Sequence, residues 1–459
     1  MLFEHDFSEM EMKQEFQHIF LVSVDCLRAD TVGCIGGGGL TPNIDKLAEE
    51  ALVFKRAFAN GPATTQSFAS IFTSTYFLSH GALKLKKSFK TLAEVLEKEG
   101  FWTVAFHSNP FLSAIFGWNR GFREYNQLLE GVETPTLSLI RGDFKAKAFR
   151  YLVQKTGLER SRGLLQFLRK TFYRLHGCQI PYAEGKELNS RVFEWVMNNK
   201  EKKFFLWMHY MDPHEPFIPP DEYLHGNGIQ NRNDALLFNI LSGLNPSVRQ
   251  NEELYRLYKS EVAYVDACIG SLQRFLNDHE MSDDSLIVLL ADHGQGFMEH
   301  GYFVHPPHSL YNELVHVPLM IYGSEEAQVV SRNVPLLDLA PTILDLLGID
   351  SPTTFLGSSL LSVEQDPLQE RPIFIESAKS DLNNLRFDLR HKIVACISRN
   401  MKLITNGVTN TVEMYDLQRD FNEEHNIAYI KKETCTELKE LITEHSKEVI
   451  RLRKGAKSI

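Results

Sequence analysis

The sequence predicts an α/β protein with a mostly parallel β-sheet that is covered by helices on both faces. Short apolar segments bounded by polar residues are typical of buried strands, and they alternate along the chain with segments of helical periodicity. A chain of 459 residues with 43% hydrophobic residues can also bury a large core. Sheets of this class bind ligands at the carboxyl ends of their strands, and a site is therefore expected there.

The predicted elements follow one another in the order that this fold class requires. Buried strands are expected at residues 18–25, 102–106, 204–209, 285–292 and 317–322. A first helix is expected to begin at Thr41, a suitable N-cap, with Pro42 in its first turn and Ala51 on its apolar face. Further helices are predicted near residues 64, 92, 188–196, 251–277 and 337–347, the last ending at Gly348.

Turn-forming residues predict a domain boundary near residue 350. Ser351-Pro352 and residues 357–359 interrupt the alternation, and strands at 372–376, 392–398 and 401–405 with a helix from about 431 follow. We expect an N-terminal extension at 1–17, a main domain at 18–350 with a basic insertion at about 130–185, and a C-terminal subdomain with a helical tail at 351–459.

Two predicted strands deliver carboxylates to their ends. Asp25 closes the first strand, while Asp292, followed at once by His293, closes the strand at 285–292. Such groups are ligands for a divalent cation. Thr64 follows a turn and is predicted at a helix N-terminus, where an anion is favoured and its oxygen could be a fourth ligand. Simple N-capping by Thr64 is the alternative that the local sequence leaves open.

Several ordered segments, spanning roughly residues 18 to 430, resemble the signatures of the sulfatase family within the alkaline phosphatase superfamily. Among them are VSVDCLRADTVGCIG, WMHYMDPHEPFIPP and LLADHGQGFMEHGYFVHPPHSLYNELVHVPLMIYG. The resemblance implies an alkaline-phosphatase-like fold with a smaller C-terminal α+β subdomain. It also implies that the catalytic metal is bound by Asp25, Asp292 and His293, with Thr64 at the nucleophile position.

The same resemblance implies roles for further residues. His214 matches a histidine that contacts the transferred group or protonates the leaving oxygen, and His305 and His308 lie where relatives contact the substrate. Arg28 and Asp30 match the opening signature and are interpreted as structural support. His209, inside a strand-like segment, is interpreted as structural. No clear Asp-x-x-x-His appears, which favours a single metal, although the histidines leave a second ion open.

The chain departs from sulfatases proper at the nucleophile. Those enzymes carry Cys or Ser there and convert it to formylglycine, but threonine cannot form that aldehyde because its β-carbon carries a methyl group. No formylglycine is therefore expected. Cys26 stands where many relatives have another acidic ligand, which leaves manganese, zinc, magnesium or calcium as the one divalent ion. Threonine at position 64 is similar to the arrangement in superfamily branches that act on phosphorus.

These features predict a metal-dependent hydrolase or transferase that acts on a small phosphate or phosphonate ester through a Thr64 nucleophile. A covalent phosphothreonine would be resolved by water or by an acceptor alcohol. Two alternatives are sulfuric ester hydrolysis, which the family name implies, and a non-catalytic anion-binding protein on the same fold. The sequence leaves the oligomeric state open.

Charge and composition bear on partners and location. The net charge of −10 speaks against a nucleic-acid binder. Residues 141–175 nevertheless contain ten Lys or Arg and only two acidic residues, which indicates solvated helix faces or peripheral contact with an anionic membrane. The first residues lack the pattern of a secretory signal, and the six cysteines form no metal-binding pairs. We therefore expect a cytoplasmic enzyme.

Overall fold

The computed structural model describes residues 16–81, 83–129, 182–224, 229–243, 245–323, 327–361, 371–381 and 386–455. Most of the N-terminal extension and the basic stretch at 141–175 lie outside the described residues. The predictions for those two segments therefore stay predictions.

The main body contains ten of the described strands. They are β1 (His18–Val24), β2 (Ala51–Phe58), β3 (Trp102–His107), β4 (Glu124–Gln127), β5 (Phe204–Tyr210), β6 (Ser285–Ala291), β7 (Gly296–Phe297), β8 (Phe303–Val304), β9 (His316–Tyr322) and β10 (Gln328–Pro335). Eight of them form one sheet in the order β10-β2-β9-β6-β1-β5-β3-β4, and β7 pairs with β8. Only the two pairings that β9 makes within the large sheet are antiparallel. The predicted mostly parallel sheet is confirmed.

Helices flank this sheet, and most begin where the sequence predicts. They are α1 (Pro42–Ala48), α2 (Thr64–Thr73), α3 (Phe77–His80), α4 (Leu92–Lys98), α5 (Gly185–Asn199), α6 (Arg232–Ser242), α7 (Val248–Asp278), α8 (Asn312–Val315), α9 (Leu339–Leu346) and α10 (Lys432–Gly455). Capping boxes start α4 at Thr91 and α7 at Ser247. The prediction for Ala51 is wrong, because α1 ends at Ala48 and Ala51 begins the buried strand β2.

Register within the sheet sets the geometry of the strand ends. On β1, Val24 pairs with Ala291 of β6 on one side and with Tyr210 of β5 on the other. All residues of these three strands are buried. Asp25 and Asp292 therefore leave the sheet side by side, at the carboxyl edge where ligands of such sheets bind.

The C-terminal subdomain is a four-stranded antiparallel sheet followed by α10. Its strands, in sheet order, are β11 (Ile373–Asp381), β12 (Arg386–Ser398), β13 (Met401–Asn406) and β14 (Thr411–Asp416). Glu376 on β11 joins three elements, because its Oε2 accepts from the N–H of Leu78 at 2.8 Å and its Oε1 lies 2.7 Å from His445 Nε2 on α10. The predicted helical tail therefore docks on the body. The boundary near residue 350 stays a prediction.

None of the helices in the described part of the chain combines the length and the apolar character that crossing a lipid bilayer would require.

A buried ion pair in the C-terminal subdomain also contacts the start of α8 in the main body. Lys402 on β13 and Glu423 are both fully buried, with Lys402 Nζ 2.8 Å from Glu423 Oε1. The same Nζ donates to Asn312 Oδ1 at 2.9 Å, and Asn312 N donates to Glu423 Oε2. Burial lowers the pKa of Lys402 and raises the pKa of Glu423, since both ions lose hydration. Each charge therefore depends on the other.

We expect Lys402→Met to lower the free energy of unfolding by about 3–5 kcal/mol, because it leaves the Glu423 carboxylate buried without its counterion. Urea denaturation at neutral pH measures this change. The double variant Lys402→Met/Glu423→Gln should recover part of the loss, since it removes both charges. Lys439→Met on the exposed face of α10 is the matched control and should change stability by less than about 0.5 kcal/mol. Equal losses in Lys402→Met and Lys439→Met would contradict the prediction.

Candidate active site

The structure brings six of the seven predicted site residues together at the carboxyl edge of the sheet. Asp25 follows β1 and is fully buried, as are Asp292 and His293 after β6. His293 Nε2 lies 3.4 Å from Asp25 Oδ1 and 3.6 Å from Asp292 Oδ2. Neighbouring strands thus hold these three side chains within reach of one another.

Thr64 is the first residue of α2, and its hydroxyl points into this group. Its Oγ1 lies 3.4 Å from Asp25 Oδ2 and 3.3 Å from His293 Nε2. Ala63 occupies the N-cap position, with extended backbone angles. The N-cap alternative for Thr64 is therefore wrong, and its side chain is available to the site at the positive end of the helix.

Two further side chains hold Asp25. His209 on β5 has Nε2 3.2 Å from Asp25 Oδ2 and Nδ1 2.9 Å from Ser23 Oγ. Asn109 donates from Nδ2 to the same Asp25 oxygen at 3.0 Å. His209, interpreted from the sequence as structural, therefore contacts the site directly. Asn109 was missed, although its position just after the buried strand β3 was a usable signal.

A second group lies next to the first and is less buried. His214 and His305 stack edge to face at 5.0 Å, and Glu215 Oε2 is 3.7 Å from the Nδ1 atom of each ring. Gln295 holds this arrangement with both ends of its amide. Its Nε2 donates to Glu215 Oε2 at 3.0 Å, and its Oε1 lies 2.9 Å from His305 Nδ1. Sequence reasoning missed Glu215 and Gln295, which both neighbour recognised motif residues.

Cys26 connects the two groups. Its Sγ donates to Asp25 Oδ1 at 3.1 Å and lies 3.8 Å from His293 Nδ1 and 3.7 Å from His305 Nδ1. The thiol is fully buried. A residue that the sequence marked only as a missing acidic ligand therefore faces both sets of possible ligands.

His308 does not join either group. Its side chain is exposed, and its described contact is an edge-to-face one with the Tyr302 ring, with centroids 5.0 Å apart. Arg28 fits its predicted supporting role, because it pairs with Asp30 at 2.7 Å and donates to the carbonyl of Gln295 at 3.0 Å. It thereby fixes the backbone of the residue that orients Glu215.

Electrostatics separate the two aspartates. Burial by itself would raise the pKa of Asp25, but the hydrogen bond with His209 and the charges of His214 and His293 hold that pKa well below its ordinary range. Burial and the negative charge of Asp25 raise the pKa of Asp292 well above its ordinary range. Two buried carboxylates at this spacing cannot both stay ionised without a compensating cation.

The imidazoles of the second group differ in the same way. Desolvation works against protonation of His214, but the charges of Glu215 and Asp25 raise its pKa above the ordinary value. Desolvation lowers the pKa of His305 to about 4. The raised pKa of His214 and the lowered pKa of His305 mean that His214 holds a proton more readily than His305, a difference that suits acid–base chemistry.

The residues present fit a divalent cation. Two sets of possible ligands, Asp25–Cys26–His293 and Asp25–His209–Asp292, each have their ligand atoms within 4.8 Å of one another. Among the described residues, Asp292 Oδ2 is buried and has no hydrogen-bond partner. Such an orphaned carboxylate oxygen is what a missing ligand contact leaves behind. The individual metal and nucleophile roles stay predictions.

A family model described as Sulfatase matches residues 17–349, and a second, described as N-sulphoglucosamine sulphohydrolase, C-terminal, matches residues 298–453. The chain is 23% identical to an uncharacterized sulfatase, YidJ, of Escherichia coli over 89% of this chain and 82% of that protein. It is also 23% identical to an arylsulfatase of Clostridium perfringens over 89% and 90% of the two chains.

Solved structures show the same fold. A phosphonate monoester hydrolase of Agrobacterium radiobacter superposes with a TM-score of 0.68 at 20% identity, covering 96% of both chains. A protein solved with its substrate D-glucosamine-2-N,6-O-disulfate superposes with a TM-score of 0.69 at 18% identity, covering 96% of this chain and 99% of the other. The predicted alkaline-phosphatase-like fold is confirmed, and the chain belongs to the sulfatase family.

Proposed function

We propose that this sulfatase-family enzyme hydrolyses small phosphate or phosphonate esters through a covalent intermediate on Thr64. The main support is the position of the Thr64 hydroxyl at the start of α2, within 3.4 Å of both Asp25 and His293. Threonine offers an alcohol nucleophile and cannot become an aldehyde hydrate. The formylglycine route of sulfatases proper is therefore closed at this position.

Asp25, Asp292 and His293, together with the Thr64 oxygen, would hold one divalent cation. When bound, such an ion lowers the pKa of a nearby hydroxyl and polarises an oxygen of the ester. Of the metals that the sequence leaves open, manganese, zinc and magnesium suit a set of two carboxylates and an imidazole. Asn109 and His209 contribute by holding the Asp25 carboxylate in one orientation.

The reaction takes two steps. Thr64 Oγ1 attacks phosphorus and releases its proton towards Asp25 Oδ2, while the bond from phosphorus to the leaving oxygen breaks. His214, whose pKa is raised, gives a proton to that oxygen. Water, or an acceptor alcohol in a transfer reaction, then attacks phosphorus and gives a proton to His214, while the bond from phosphorus to Thr64 Oγ1 breaks and Asp25 returns its proton to that oxygen.

Sulfate-ester hydrolysis is the second candidate. The relatives named above include an arylsulfatase and a protein whose substrate carries two sulfate groups. Sulfate and phosphate esters share a tetrahedral shape, so a site for one anion can bind the other. The choice between sulfate esters and phosphorus esters depends on whether Thr64 is the nucleophile. A cytoplasmic location and contact of residues 141–175 with anionic membranes stay predictions.

We expect Thr64→Ala to lower kcat/KM for an aryl phosphonate monoester by roughly a thousandfold or more, because the variant has no nucleophile. Thr64→Ser keeps the hydroxyl and should retain measurable turnover. Thr65→Ala, one residue along the same helical turn, is the matched control and should lose far less. Mass spectrometry of acid-quenched wild-type enzyme should find the phosphoryl or phosphonyl adduct on Thr64. Normal turnover by Thr64→Ala would rule out the nucleophile.

Substrate preference separates the two candidate functions. Aryl phosphate monoesters and diesters, phosphonate monoesters and sulfates with one common leaving group are compared by kcat/KM in the presence of Mn²⁺. We expect a phosphorus ester to be the best substrate, since phosphothreonine can be resolved by attack at phosphorus. A clear preference for the sulfate ester would favour the second candidate instead.

Divalent-metal binding should depend on Asp292. We expect Asp292→Asn to weaken Mn²⁺ binding at least about tenfold in calorimetric titration, because one anionic ligand is lost. Asp345→Asn, at an exposed position of α9, is the control and should bind like wild type. Because the pKa of Asp292 is raised, protons compete with the metal for its carboxylate, and affinity should fall as pH falls. Unchanged binding in Asp292→Asn would contradict the assignment.

A further inference from the structure

The second group of side chains contains an unusual set of donors. Cys26, His214, Glu215 and His305 each offer one ligand atom, and these four atoms lie within 4.8 Å of one another. A thiol, two imidazoles and a carboxylate together make a softer set than the aspartates and imidazole of the first group. Sets of this kind are typical of zinc.

Two separations within the group, both to His305 Nδ1, match tetrahedral coordination. With bonds of the usual zinc lengths, neighbouring ligand atoms of a tetrahedron are roughly 3.3–3.8 Å apart. Cys26 Sγ and Glu215 Oε2 each lie 3.7 Å from His305 Nδ1. His214 Nδ1 lies 2.6 Å from the Glu215 carbonyl oxygen, and His214 would therefore bind through Nε2. A cation bound at His305 Nδ1 would replace the hydrogen between this atom and Gln295 Oε1.

The backbone supports the placement of the thiol. Cys26 has a φ of 61°, in the left-handed region that a residue with a β-carbon seldom adopts. Tyr258 holds this turn, since its hydroxyl donates to the Cys26 carbonyl at 2.9 Å and accepts from Arg28 N at 2.9 Å. Strained residues of this kind persist where the surroundings impose them, often at functional sites.

Outer contacts also fix the other ligands. Gln295, fully buried, donates to Glu215 Oε2 at 3.0 Å, and its own carbonyl accepts from Arg28 at 3.0 Å. Ligand carboxylates of metal sites are commonly oriented by such second contacts. Cys26 as a thiolate and Glu215 as a carboxylate would balance the two charges of the ion, with both imidazoles neutral.

We propose that Cys26, His214, Glu215 and His305 form a second cation site, selective for zinc-like ions and adjacent to the first. This inference rests on the proposed function for the position of the ester and refines the role of His214. With a cation bound there, His214 would be a ligand and would no longer donate the proton. The ion would supply positive charge beside the leaving oxygen, which would take its proton from water.

Cobalt(II) is the probe that tests the site, because cobalt thiolate bonds give a charge-transfer band in the near ultraviolet. Apoprotein prepared with a chelator is titrated with Co²⁺, and bound metal is counted after equilibrium dialysis. We expect about two ions per chain with the thiolate band, the second held by a four-ligand set. Cys26→Ser and Glu215→Gln should each lose about one ion, and Cys26→Ser should also lose the band.

Cys34→Ser is the matched control, because Cys34 lies outside the group and should leave count and band unchanged. Wild-type protein that binds one ion or none overturns the second site, and so does a band that survives Cys26→Ser. One ion with a thiolate band would mean that Cys26 serves the first site. The count does not depend on turnover. Two ions with the band, but no phosphoester turnover, would contradict the proposed function alone.

Discussion

The carboxylate of Asp25 lies fully buried at the end of β1, and side chains from other elements surround it. Hydrogen bonds from His209 and Asn109 hold one of its oxygens, and Thr64 approaches the same oxygen from α2. An unpaired carboxylate at this depth would cost several kcal/mol. Hydrogen-bonding groups from strand ends, a helix N-terminus and a loop therefore meet at Asp25. The proposed chemical roles at this edge depend on their meeting there.

Burial also explains why the site suits a cation. Asp292 sits beside Asp25 on the neighbouring strand, and the pKa of one carboxyl is lowered while that of the other is raised. A fold that places two acidic groups side by side in its core gains little from them as a structural pair. A divalent ion would neutralise both carboxylates, and His293 and Thr64 lie close enough to be further ligands.

Two residues at this edge, Thr64 and Cys26, depart from the family pattern. Under the proposed function, Thr64 would supply the nucleophile in place of formylglycine, whereas Cys26 places a buried thiol where the family resemblance implies another acidic ligand. Cys26 faces His305 as well as Asp25, and the two groups of ligands are therefore continuous.

Strand and helix patterns in the sequence were enough to predict the α/β class, the strand-end position of Asp25 and Asp292, and the helix that carries Thr64, because periodicity and turn residues act locally. They did not predict which strands are neighbours. Only the sheet order brings His209 and Asn109 to Asp25, and only the loops above it bring Glu215 and Gln295 to His305 while leaving His308 exposed. These contacts join residues far apart in the chain, and packing of the whole fold decides them.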